Sequence, residues 1–116
     1  MKINDFRTKQ FLARIKYDKL PPPQQEYHIY IRGHVKGERP HRIDFAWPNP
    51  IKLAIEVEGG IYTFGRHTRG SGYEKDMKKY NWISRNGWVL LRYTWQNIDY
   101  NEIKEVYDEL STKRNM

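Results

Sequence analysis

Cysteine is absent from the 116 residues. That excludes a disulfide scaffold, a cysteine nucleophile and any zinc or iron–sulfur site built on thiolates. Long apolar runs are missing too. Nothing approaches the roughly 18 residues of a membrane-spanning helix, and the N-terminus shows no charged-then-apolar leader. The expectation is a cytoplasmic protein without membrane contact. His28, His34 and His41 have no paired spacing, which argues against a histidine zinc site. No internal repeat, low-complexity tract or linker divides the chain, so residues 1–116 read as one domain. A chain of this size buries about 60–70% of its unfolded surface, enough for one core.

Basic charge and aromatic rings are plentiful instead. Lys and Arg number 21 against 14 Asp and Glu, and aromatics make up 15%. Residues 1–98 hold 18 of the basic and 9 of the acidic side chains, whereas residues 99–116 are net acidic. A basic body points to a polyanionic partner. Aromatics interleaved with basics, as in Arg92-Tyr93-Thr94-Trp95, favour nucleic acid over a membrane surface, because they suit phosphate contact and base stacking together.

The spacing predicts a helix over 4–18, with Phe11, Leu12 and Ile15 as its apolar stripe. Leu20-Pro21-Pro22-Pro23 then forces extended chain. Strands are expected over 27–32, 42–47 and 53–58. In the second, Ile43, Phe45 and Trp47 face one way and Asp44 the other. In the third, Leu53, Ile55 and Val57 oppose Ala54, Glu56 and Glu58. A glycine-rich basic loop covers 61–72. A helix is expected over 73–86 with Gly87 as its C-terminal cap. The strand over 88–93 is apolar enough to suggest burial on both faces. Asp99 and Glu102 form a capping box for a last helix, with Ile103, Val106, Tyr107 and Leu110 as its stripe. The fold class is therefore α/β: one mixed sheet, an antiparallel three-strand meander plus a strand reached by a helical crossover, flanked by helices.

The carboxylates Asp44, Glu56 and Glu58 interrupt otherwise apolar strands. Glu56 and Glu58 share a face, and pairing across Pro48-Asn49-Pro50 puts Asp44 opposite them. Three converging carboxylates raise one another's pKa unless a cation neutralises them. Oxygen-only ligands suit a hard cation, Mg²⁺ or Mn²⁺. An alternative is a solvated sheet face with ordinary ion pairs. Downstream, Arg66, His67 and Arg69 sit in the glycine-rich loop, where Arg suits bidentate phosphate contact and His67 could orient or deprotonate a water. No Gly-Lys-Ser/Thr follows, so the loop is not a nucleotide P-loop. On the next helix Lys79 can reach the carboxylates and stabilise charge on a phosphate. Lys75 and Lys78 are expected to point elsewhere, into solvent or towards phosphates.

Five stretches between residues 42 and 94 carry a resemblance: Arg42–Pro48 (RIDFAWP), Ala54–Gly60 (AIEVEGG), Gly65–Gly70 (GRHTRG), Tyr73–Asn81 (YEKDMKKYN) and Gly87–Thr94 (GWVLLRYT). Together they resemble the PD-(D/E)XK nuclease superfamily. Within it the chain is most similar to small phage- and prophage-encoded proteins related to very-short-patch-repair-type endonucleases. The resemblance implies a restriction-endonuclease-like αβββαβ core and a metal-dependent phosphodiesterase. Asp44 and Glu56 would be metal ligands, helped by the Val57 carbonyl. The third motif position holds Glu58 where the family carries Lys, and Lys79 on the following helix would take over the lysine's role. Glu26 would stand at the family's upstream acidic position.

The leading expectation is a Mg²⁺- or Mn²⁺-dependent endonuclease acting on DNA. It would be structure-selective or weakly sequence-specific, phage-encoded in a bacterial host, and a homodimer if it cuts four-way junctions. Two alternatives stand beside it: a catalytically silent nucleic-acid-binding module on the same fold, and a basic protein–protein adaptor.

Overall fold

A computed structural model of the chain describes residues 5–31, 40–59 and 71–114. The elements run α1 (Asp5–Tyr17), β1 (Gln24–Ile29), β2 (His41–Trp47), β3 (Leu53–Glu58), α2 (Ser71–Arg85), β4 (Val89–Thr94) and α3 (Tyr100–Arg114). The strands form one sheet in the order β1-β2-β3-β4. The first three are antiparallel and β4 joins β3 in parallel. A parallel neighbour requires a crossover, and α2 supplies it. The α/β class and the mixed-sheet topology agree with the sequence expectation.

Alternation along β3 divides the interior between the two sheet faces. Leu53, Ile55 and Val57 join Phe45 and Trp47 under α1 and α3, which contribute Phe11, Ile15, Ile103 and Leu110. Ala46 and Ala54 lie on the opposite face, packed with Ile83 of α2. Two alanines at the sheet centre leave room there for the larger Tyr80, Trp82 and Trp88, which pack around this second cluster. Each large apolar side chain buried completely, Ile55 and Ile103 among them, stabilises the fold by about 1.5–3 kcal/mol relative to leaving it in water.

Both α1 and α2 end in a left-handed turn. At α2, Gly87 has φ +77°, its N–H donates to the Ser84 carbonyl, and the Trp88 N–H reaches back to the Ile83 carbonyl. This is the Schellman arrangement expected for glycine. At α1 the same pair of bonds forms around Lys19, at φ +64°, without a glycine to relieve the backbone. The capping box at α3 is half made. Asp99 Oδ1 accepts the Glu102 N–H at 2.9 Å, but the Glu102 carboxylate is engaged by the Tyr93 hydroxyl at 2.6 Å.

Three sequence expectations are corrected. β1 occupies Gln24–Ile29, not residues 27–32, because pairing with β2 begins at Gln24 opposite Ala46. Its polar first half is tolerated on an edge strand. β4 is half-buried along most of its length, not buried on both faces; among the described residues it lies at the other edge, with only β3 beside it. Ile43 packs with Ala46, Ala54 and Ile83, not with Phe45 and Trp47. The alternation of β2 is broken at Asp44. The β1–β2 register skips the Glu26–Asp44 position, and Glu26 has a left-handed φ of +48°.

Candidate active site

Asp44 and Glu56 meet where the β2–β3 ladder ends. The paired register runs from Trp47–Leu53 to Phe45–Ile55. The next opposed pair is Asp44 and Glu56, and side chains there replace the backbone ladder. The Asp44 N–H donates to Glu56 Oε2 at 2.9 Å, and the Val57 N–H donates to Asp44 Oδ2 at 2.9 Å. Each carboxylate thus caps an amide of the other strand. A hydrogen bond to a charged acceptor of this kind is about twice as strong as a neutral one. The clasp holds the two carboxylates against each other where the backbone ladder stops.

Lys79 closes the arrangement from α2. Its Nζ lies 2.6 Å from Glu56 Oε1 and 3.0 Å from the Arg42 carbonyl oxygen. Both side chains of this ion pair are largely withdrawn from water, at 13% and 7% exposure. Glu56 is the only charged residue buried in the interior among the described residues. Its two oxygens are both occupied, one by a backbone N–H and one by the ammonium. Burial and the neighbouring Glu56 charge push the Asp44 pKa up to about 6, against the opposing pull of the Val57 N–H and of Lys79.

These groups border an open cleft of about 750 Å³. Asp44 and Lys79 line it together with Glu26, Arg42, Lys75 and Trp95. Glu26 stands on its rim, ion-paired to Arg42 at 2.6 Å with both side chains exposed. Exposed pairs of this kind contribute little to stability, so Glu26 and Arg42 are free to exchange partners with a charged ligand. Of Lys75 and Lys78, expected in solvent or towards phosphates, Lys75 lines the cleft, whereas Lys78 is exposed and does not line it. Sequence reasoning also missed Thr8, Gln25 and His41 as cleft residues. The signal for Trp95 was its place immediately after a strand that ends beside β3.

Glu58 is not part of this group. It pairs with Arg92 of β4, whose Nε lies 2.8 Å from Glu58 Oε2. Arg92 also covers the Tyr80 ring at 4.6 Å. The expected convergence of three carboxylates is therefore reduced to two. The parallel register explains it: β4 places Arg92 beside Glu56 and Thr94 beside Glu58, and the Arg92 guanidinium reaches forward to Glu58. Arg66, His67 and Arg69 lie outside the described residues.

Among the described residues no group of three or more His, Asp or Glu side chains is placed to hold a metal ion. The donors that are present, Asp44 and Glu56, are hard oxygens suited to Mg²⁺ or Mn²⁺. A cation beside them would relieve the repulsion that raises the Asp44 pKa. The same oxygens already hold Lys79 and two amides, so a metal would share its donors with this network.

The geometry offers three capacities on one surface: a carboxylate pair under strain of like charge, a desolvated ammonium fixed beside it, and a roomy cleft of mixed charge with an aromatic wall. Comparison of the chain with protein-family models, with curated proteins and with solved structures found no match.

Proposed function

We propose that the protein is a metal-dependent endonuclease that hydrolyses DNA phosphodiester bonds in this cleft. The observation that carries the proposal is the Asp44–Glu56–Lys79 constellation. Two carboxylates and an ammonium, drawn from two strands and a crossover helix, meet at the border of one open cleft. The resemblance of residues 42–94 to PD-(D/E)XK nucleases supports the same reading, as does the net basic charge.

Asp44 and Glu56 would hold a Mg²⁺ or Mn²⁺ ion, with the Val57 backbone beside them. Bound there, the ion would lower the pKa of a water and offset charge on the leaving oxygen. Lys79 is fixed by Glu56 and by the Arg42 carbonyl, so its ammonium is pre-oriented for a phosphate oxygen at little further entropic cost. Lys75 and Arg42 supply positive charge along the cleft to steer a phosphodiester backbone. Glu26, on the rim, stands where it can turn from Arg42 towards the cleft.

A second reading is a nucleic-acid-binding module without catalysis. The commitment of both Glu56 oxygens to protein groups favours it. The deciding experiment incubates purified protein with plasmid, single-stranded, mismatched and four-way-junction DNA in Mg²⁺, Mn²⁺ or EDTA, beside Asp44→Ala and Glu56→Ala. Metal-dependent cutting lost in both variants is the expected result. An Asp44→Ala protein that cuts at the wild-type rate refutes the site. No cutting by any protein, with DNA binding that weakens steeply in salt, leaves the binding module.

A further inference from the structure

Trp95 lines the cleft, and among the described residues its ring pairs with no other aromatic. The chain's three other indoles are engaged. Trp47 Nε1 donates to the Pro21 carbonyl at 2.8 Å while its ring packs edge-on to Tyr107. Trp88 packs against Trp82 and Tyr27. Trp95 is half-buried at the border of the apolar core, and it lines the same cleft as Asp44 and Lys79. Among the described residues its ring stacks on no other aromatic and its Nε1 has no acceptor.

Gly59 makes room for the ring. A Cβ built on Gly59 would stand 3.4 Å from Trp95 Cδ1 and 3.6 Å from Nε1, so the indole lies against bare backbone. Parallel pairing fixes where this happens. Glu58 is opposite Thr94, which carries Gly59 and Trp95 forward as the next opposed positions. Trp95 is thus three residues on from Arg92, the partner of Glu56, about 10 Å along the strands; it belongs to the sheet face of Val57 and Tyr93, not that of Glu56, and meets the cleft at the end of the sheet. Asp44 lies across from Glu56. Trp95, Asp44 and Lys79 border one cleft across that end of the sheet.

We infer that the cleft takes an unpaired nucleotide, its base stacked on Trp95 and its phosphate turned towards the Asp44–Glu56–Lys79 group. The cleft volume falls in the range of sites that enclose one small ligand. Inside a duplex each base face is covered by its neighbours, so a ring in a cleft can be met only by a base that is unpaired or extruded. An aromatic platform accepts any base, because every base has a π-face. Sequence-independent stacking beside a cutting site would select strands by structure: single strands, bubbles and flaps ahead of intact duplex. This inference rests on the nuclease reading for the role of the phosphate end, and on Trp95 alone for the base end.

The test measures binding in EDTA, so that no turnover is involved. A fluorescein-labelled single strand, the same strand in full duplex, and a duplex with a central bubble are titrated with wild type, Trp95→Ala and Trp95→Phe. Thermal melts of each variant accompany the titrations. The single strand and the bubble should bind tighter than the duplex. Trp95→Ala should weaken binding to the first two about tenfold, and Trp95→Phe should stay within about threefold of wild type. The tryptophan emission quenched by the unlabelled single strand should fall sharply in Trp95→Phe. Equal affinity for duplex and single strand, or wild-type binding by Trp95→Ala, overturns the inference. So does a Trp95→Phe protein that melts like wild type yet binds as weakly as Trp95→Ala. Absence of cleavage in the metal assay would refute the nuclease reading and leave this result standing, so the two failures are distinguishable.

Discussion

The two faces of β3 are chemically opposite although they alternate residue by residue. Leu53, Ile55 and Val57 enter an apolar interior closed by α1 and α3. Ala54, Glu56 and Glu58 point to α2, and two of these three are charged. Only one of the two is buried. Glu56 is held by Lys79 and an amide; Glu58, two residues on, meets Arg92 with both side chains about half exposed. One face is built for burial, and the other gives up burial to hold charges in a fixed geometry. Proteins depart from locally consistent packing at the places where they act, and here the departure is confined to one face of one end of the sheet.

The first way to break this comparison is to test whether the apolar face carries the stability. Ile55 is completely buried at the centre of the sheet. Ile55→Ala should cost about 3–4 kcal/mol, the transfer term plus the cavity left behind. Urea unfolding reads it as a lower midpoint with an unchanged slope. A loss under about 1 kcal/mol would mean that the core is elsewhere.

The second tests whether the charged face depends on pairing. Lys79→Ala leaves the Glu56 carboxylate buried without its cation, which costs about 3 kcal/mol. Lys79→Ala combined with Glu56→Gln removes the stranded charge and should recover most of that loss. Gln keeps an oxygen for the Asp44 N–H. A double variant no more stable than the single one would show that Lys79 matters for packing alone.

The third turns the sign round. The Asp44 pKa is raised from 3.8 to about 6 in the folded protein by burial and by Glu56. The folded state therefore binds this proton more tightly than the unfolded chain does. Its contribution is fully present below about pH 4 and is lost as pH rises through about 6. Asp44→Asn fixes a neutral side chain that can still accept the Val57 N–H. In the absence of divalent metal it should stabilise the protein by about 3 kcal/mol at pH 8 and by little at pH 4. Thermal melts across that range check it. Destabilisation at pH 8 would mean that the Asp44 charge is already neutralised in the folded state.

Much of this contrast was legible in the chain. Period-2 alternation placed Glu56 on the face opposite Leu53, and the turn at Pro48-Asn49-Pro50 set Asp44 against it. The crossover helix then had only one face to cover, which brought Lys79 within reach. What could not be read was register. Nothing in β3 or β4 alone says that Arg92 will stand within reach of Glu58, so the third carboxylate was expected in the site. The break in β2 at Asp44 was hidden for a related reason. It depends on the left-handed residue Glu26 in the facing strand and on side chains that replace a ladder, neither of which leaves a periodic trace. Thr8, Gln25 and His41 went unassigned because cleft walls are assembled from the ends of elements, where sequence spacing carries least information.

The smallest expected effect sharpens the contrast within the charged face. Glu58 and Arg92 form an ion pair about half exposed to water. Water screens such a pair, and holding two long side chains in one geometry offsets much of the attraction, so it contributes about 0–1 kcal/mol. Arg92 also stacks on Tyr80, which adds about 0.5–1 kcal/mol at an exposed site. Arg92→Ala should therefore lower stability by about 1 kcal/mol, and Glu58→Gln, which spares the stacking, by less. Raising the salt from low to molar concentration should shrink the Glu58→Gln effect towards zero while leaving that of Lys79→Ala nearly unchanged, because ions in solution screen exposed pairs far more than buried ones. Equal salt sensitivity at the two sites would mean that water reaches Glu56 as freely as Glu58. The division of the α2 face into a dry ion pair and a wet one would then fail.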